Sequence, residues 1–213
     1  MSPPEHDLVR SHRLPWRVEG VTVVRRRFVA GVLILAALAI GGAVTAARPD
    51  TDTRLASFYR HGRVNQTVAG RTFQVRALGV RGAAKIKADR ADHDTSGVWV
   101  IVKFTVTARL EPASLKFAAL VDGKGRSYRA TGRFNQFIVE GGYDLQPGVP
   151  VTAEVAFEVP KAAANRLAMR LSDQFDRRLD AIVEIRLPVS AAQVERWAAD
   201  PTVAQLSPTE VTA

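Results

Sequence analysis

The sequence contains no cysteine, and that absence removes disulfides, thiolate nucleophiles, Cys-ligated zinc or iron–sulfur sites and lipoprotein-type acylation. It leaves the redox compartment open, because an exported domain can do without bridges. Histidine is scarce as well: of four in 213 residues, His6 and His12 fall in the first 27, leaving His61 and His93 as general bases near neutral pH. No G-x-S-x-G, H-E-x-x-H, P-loop or G-x-G-x-x-G spelling occurs, so the commonest hydrolase, zincin and nucleotide-binding signatures are missing. The net charge of +9 comes without zinc-finger spacing, a basic zipper or an RNA-recognition motif, so nucleic acid is not an expected partner. The expectation is a non-enzymatic chain with no catalytic residue, no cofactor and no resident metal.

What is present begins with one long apolar run. Phe28 to Ala47 is a twenty-residue stretch without a charge, which at about 1.5 Å per residue matches a hydrocarbon core of about 30 Å. Arg25, Arg26 and Arg27 abut its start, which predicts a cytoplasmic N-terminus and an extracytoplasmic C-terminal domain. The same residues support a second reading, since Val44 and Ala46 sit where a signal peptidase inspects a cleavage region, and cleavage would release the domain. Residues 1–27, with three prolines and six arginines, read as a disordered basic cytoplasmic arm, and 48–66 as a polar spacer.

Beyond the spacer the apolar period becomes two. Val98, Val100, Val102, Phe104, Val106 and Ala108 form one face of a long strand, and Val151 to Val159 alternates still more cleanly, with Thr152, Glu154, Ala156 and Glu158 outward. Weaker strands are predicted over 72–80, 115–121, 127–131, 135–140, 166–171 and 180–188, punctuated by Asp122-Gly-Lys-Gly125, Gly141-Gly142 and Pro147-Gly148. About seven or eight short strands without a long internal helix predict an all-β antiparallel sandwich over 67–189. Ser190 with Gln193 three residues later predicts a capped short helix that Pro201 ends, and 190–213 reads as this short helix followed by a flexible tail.

Gly97-Val-Trp-Val-Ile-Val-Lys-Phe-Thr-Val, Asp122-Gly-Lys-Gly-Arg-Ser-Tyr128, Leu145-Gln-Pro-Gly148 and Val155-Ala-Phe-Glu-Val-Pro160 together resemble the bacterial family of membrane-anchored or secreted domains of unknown function that share the immunoprotective extracellular immunoglobulin-like fold. The resemblance covers about residues 67–188 and implies the fold, with no catalytic residue to carry over. Two stretches depart from it: the basic segment around Arg81 to Arg90, and the run from Arg133 to Leu145.

Two local features qualify as candidate sites. Nine basic residues lie between Arg54 and Arg90 against the single acid Asp89, and Arg71, Arg76, Arg81, Lys85, Lys87 and Arg90 form a candidate patch for anionic lipid or polymer. Trp197, on the predicted helix, either closes the end of the sandwich or offers an aromatic anchor to a partner. His93 lies among Asp92, Asp94 and Ser96, which imitate the opening half of a calcium loop, but position twelve is Lys103 and the closing ligand is missing. The function expected from all this is an anchored, single-pass extracytoplasmic module that engages an envelope protein, as an accessory subunit of a transport, secretion or wall-synthesis complex. The alternative is a cleaved, secreted domain that binds anionic lipid or glycopolymer through its basic segment.

Overall fold

The computed structural model describes residues 36–37, 58–139, 142–175 and 181–212. The chain divides into two compact units, Met1–Arg54 and Leu55–Ala213. Of the first, only Ala36 and Ala37 are described, and both are helical and exposed. The basic arm, the rest of the predicted membrane span and residues 48–57 lie outside the described residues. No helix among the described residues is long and apolar enough to cross a membrane.

The second unit is a two-sheet β-sandwich. One sheet runs β1(Phe58–Arg63), β9(Ala181–Arg186), β8(Ala168–Ser172), β5(Phe117–Val121), β6(Ser127–Arg129). The other runs β10(Val203–Gln205), β3(Phe73–Ala88), β4(Ala91–Ala108), β7(Val151–Val159), β11(Glu210–Val211), with β2(Thr67–Ala69) also paired to β3. Alternation explains the core between them. Val98, Val100, Val102, Phe104 and Val106 of β4 and Val151, Ala153, Val155, Phe157 and Val159 of β7 point inward and are fully buried against Leu120, Met169, Leu171, Val183 and Ile185 of the facing sheet.

Three differences from the sequence expectation have physical causes. Residues 58–63, assigned to the spacer, form the edge strand β1 and pair parallel with β9; their polar side chains show no apolar period because five of the six are exposed. The segment expected as a flexible tail after the helix instead pairs with the sheet, β10 parallel to β3 and β11 antiparallel to β7, because exposed edge residues carry no apolar period; with β1 this makes the sandwich not purely antiparallel. Residues 135–139 of the predicted 135–140 strand form turns instead, because Ile138 and Val139 turn into the main core while Gln136 bonds a neighbouring strand edge.

The β3–β4 hairpin is much longer than the strands it packs on. Its turn, Asp89-Arg90, has positive φ at both positions (47° and 65°), the conformation of a two-residue type I′ connection. A second turn, between β5 and β6, is closed by Asp122, whose carboxylate accepts hydrogen bonds from the Lys124 and Arg126 amides, Arg126 Nε and the Tyr128 hydroxyl. Burial alone would raise its pKa; these bonds, led by that from Arg126, outweigh burial and hold it down at about 2.

Ser190 caps the helix α1(Ala191–Ala199) as expected, accepting from the Gln193 amide while the Gln193 side chain accepts from the Ser190 amide. The helix lays Val194 and Trp197 on the main core. Trp197 fits because Gly82 of β3 has no side chain: a Cβ there would run into the indole ring. Gly82→Ala is expected to destabilise the protein by about 1–3 kcal/mol through overpacking, and by much less in a Trp197→Ala background. A double-mutant cycle in urea checks this, and additive costs would show that the two residues do not meet.

Candidate functional site

The extra length of the β3–β4 hairpin creates a second apolar surface, on the outer side of its sheet. Ala83, Ile86, Trp99, Ile101 and Ala156 are buried there, where the sequence pattern places outward residues, and Phe134, Ala204 and Leu206 cover them. Two segments therefore fold back over the sheet: the loop 131–139 and the tail 200–209.

Polar groups fix the loop. The Ala156 amide donates to Gln136 Oε1 (2.7 Å), while Gln136 Nε2 and the Thr131 amide donate to the Ala156 carbonyl, so the exposed edge of β7 is paired by a side chain and a loop instead of a strand. The Asn135 amide donates to Asp89 Oδ2 (2.9 Å), tying the loop to the hairpin tip. Arg133 donates to the Asp94 carbonyl and lies 5.4 Å over the Trp99 ring, and the Phe134 ring packs tilted against both Trp99 and His93.

Beside the short pairings of β10 and β11, one ion pair reaches the tail. Arg81 of β3 grips Glu154 of β7 with two hydrogen bonds, Nε to Oε1 (3.2 Å) and Nη2 to Oε2 (2.7 Å). Each partner then reaches the tail backbone: Arg81 Nη2 donates to the Gln205 carbonyl (2.7 Å), and Glu154 Oε2 accepts from the Ser207 amide (2.8 Å). The Glu154 side chain is only 5% exposed. Burial would raise its pKa, but the Arg81 hydrogen bond and the Ser207 amide prevail, and its pKa lies below the usual carboxylate value.

Between the hairpin tip, the loop and the tail lies a cleft of about 350 Å³, lined by 87–90, 135–138, Glu154 and 205–209. Phe137 stands in it with 61% of its surface exposed, the only large aromatic that this face leaves to solvent among the described residues. Arg90 has no ion pair among the described residues. The basic segment Arg81 to Arg90 and the loop after Arg133 thus meet at one place. A cleft of this size, with one exposed aromatic, a cation and backbone groups at its rim, suits an apolar side chain carried next to a carboxylate.

The six basic residues of the candidate patch are distributed differently. Arg76 is exposed on the outer face and Arg81 is bound to Glu154 there. Lys85 pairs with Asp94 across the hairpin (3.2 Å), and alternation places Lys85 and Lys87 opposite the buried Ile86. Arg71 lies 4.0 Å from Asp173, and Arg90 forms half of the tight turn. Carboxylates from outside the segment, the hairpin partner Asp94 and the distant Glu154 and Asp173, therefore meet a segment that holds one acid of its own. Trp197, the other candidate, is half-buried over Gly82.

His93 Nε2 lies 3.3 Å from the Ala88 carbonyl, with its ring against Phe134, while β-alternation turns Asp92 and Asp94 to the opposite face. Among the described residues no three His, Asp or Glu side chains are grouped to hold a metal ion. Sequence reasoning missed Phe137, Gln136 and Glu154. The signal for Glu154 was present, as a carboxylate amid outward residues of a strand, but its partner lies 73 positions away.

Glu154→Gln is expected to cost about 1–3 kcal/mol at pH 7, between the cost of breaking an exposed and a buried pair. Because the folded pKa of Glu154 lies below the unfolded one, this stabilisation is complete above about pH 5 and is lost as the pH falls through the folded value. Urea unfolding of both proteins from pH 7 to pH 3 should therefore show the gap closing in acid; a gap independent of pH would contradict the assignment.

No family model and no curated protein matches this sequence. Among solved structures, the chain is similar to the yjhA protein from Bacillus subtilis, with 16% identity over 58% of this chain and 99% of that one and a TM-score of 0.42. An uncharacterised β-sandwich protein from Clostridium difficile 630 shows 9% identity over 65% of this chain and 99% of its own, with a TM-score of 0.41. A conserved hypothetical protein from Bacillus anthracis shows 14% identity over 56% and 95%, with a TM-score of 0.39.

Proposed function

We propose that this protein is a non-enzymatic, single-pass membrane-anchored module whose immunoglobulin-like sandwich lies outside the cytoplasm and binds a protein partner of the cell envelope. The observation that carries the reading is the cleft on the outer face of the β3–β4–β7 sheet, with Phe137 exposed in it beside Arg90. The cleft is built from segments held by Asp89–Asn135, Gln136–Ala156 and Arg81–Glu154, so its groups are positioned before a partner arrives. An aromatic presented on a fixed scaffold is the usual centre of a protein interface. The apolar run Phe28 to Ala47 and the three arginines before it supply the anchor and the orientation. The partner chemistry that fits is a segment with an apolar side chain next to an acid, as in an accessory subunit docking on a larger transport, secretion or wall-synthesis complex.

The alternative of a released domain binding anionic polymer through 71–90 draws less support, since Arg81 and Lys85 are already engaged with Glu154 and Asp94.

Two measurements test the reading. The chain has no cysteine, so Leu110→Cys, at a side chain 86% exposed, creates one thiol; a membrane-impermeant maleimide should label it in intact cells, and labelling only after permeabilisation would reverse the topology. A photoreactive phenylalanine analogue at position 137 should cross-link one envelope protein that the same analogue at position 110 does not capture. Identical products at both positions would remove the cleft from the account.

A further inference from the structure

The outer face of the other sheet carries a site of a different kind. Reading across β1, β9, β8 and β5, the register aligns Arg63, Arg186, Ala168 and Val121 in one row and His61, Glu184, Arg170 and Ala119 in the next. Small side chains in the middle and arginines around them produce a hollow. It has a volume of about 500 Å³ and is walled by Arg166, Arg170, Arg186, Glu184, Asp122 and the turn at Gly125.

The charge inventory of this hollow does not balance. Glu184 accepts from Arg170 Nε (2.7 Å) and lies 3.1 Å from His61 Nδ1, so its oxygens are committed. Asp122 is saturated by its own turn and by Arg126. Of its wall, Arg166 and Arg186 are left without an ion pair among the described residues, and so is Arg63, which lies outside the wall on the neighbouring strand β1. Two of them, Arg63 and Arg186, are direct cross-strand partners, an arrangement of like charges that opposes folding. Arg166 moreover holds a left-handed backbone, φ 53°, which a residue with a Cβ adopts at a cost. An anion in the hollow would neutralise Arg186 and Arg166 and relieve the repulsion between Arg63 and Arg186.

We propose that this hollow binds a phosphoryl group carried on a larger molecule. Guanidinium groups present paired N–H donors that match phosphate oxygens two at a time, and the volume exceeds what a bare phosphate fills, leaving room over Ala168 for the group that bears it. The phosphoryl group is that of a soluble phosphate ester or of a phospholipid headgroup. The site is on the opposite sheet from the Phe137 cleft and stands independently of it.

The test uses the full-length chain in a neutral detergent, titrated calorimetrically with glycerol 3-phosphate, with dihexanoyl phosphatidylglycerol below its micelle concentration, and with the phosphatidylcholine analogue as control. Binding of glycerol 3-phosphate assigns a soluble ester; binding of phosphatidylglycerol above phosphatidylcholine, without glycerol 3-phosphate, assigns a lipid headgroup. In either case Arg166→Gln combined with Arg186→Gln should weaken binding about tenfold or more, while Arg76→Gln on the other sheet leaves it unchanged. Without ligand, Arg186→Gln alone should raise the melting temperature by about 1–3 °C, because it relieves the repulsion from Arg63. Failure of both phosphate compounds to bind would overturn the proposal. Binding that survives the double substitution, or a lower melting temperature for Arg186→Gln, would do so too.

Discussion

Arg81 and Glu154 form the interaction on which the outer face of the larger sheet depends. A carboxylate as deeply buried as Glu154 costs several kcal/mol to desolvate unless its lone pairs are filled. Arg81 supplies two donors and the Ser207 amide a third, while the remaining reach of Arg81 goes to the Gln205 carbonyl. The pair thus joins β3 to β7 across β4 and fixes the path of the C-terminal tail. Only three residues of the tail pair with β3 and two with β7, too little to hold it by ladder hydrogen bonds alone.

The need for that tail follows from the hairpin. Strands of 16 and 18 residues overreach a sandwich whose facing strands have three to six, and their outer face carries Ile86, Trp99 and Ile101. Such side chains left in water would forfeit about 1.5–3 kcal/mol each. Covering them requires Phe134 from one segment and Leu206 from another, and the space between these two covers is the cleft. The facing sheet solves its outer surface differently: it sets small side chains such as Ala168 and Ala119 beside arginines, with Arg170 over Tyr59 and Arg129 over Phe117. One sheet therefore offers a fixed aromatic and the other a concentration of positive charge.

Much of this was legible from periodicity. Val151 to Val159 and the capped helix at Ser190 appear where the sequence places them, because each is specified by local spacing. The length of β3 was hidden, since its turn, Asp89-Arg90, contains no glycine and two bulges break the alternation near Leu78 and Ala84. β1 was hidden because an exposed edge strand has no apolar face to signal it. The cleft was the least legible part: its members come from four stretches up to about 120 positions apart, and Gln136 looks like a surface residue until the free edge of β7 is known. The resemblance marked the two departures at Arg81–Arg90 and after Arg133, yet only the fold shows that they meet.

The central claim is that an ion pair, and not the short strand pairings, keeps the tail over the second apolar surface. Amide hydrogen exchange of the full chain, compared between the native sequence and Arg81→Gln, tests it directly. In the native protein the amides of Ser207 and of 203–205 should be protected; in the variant they should exchange near the rates of an open chain, while those of Val100 to Val106 stay protected. Unchanged protection of the tail in the variant, or none in the native protein, would contradict the account.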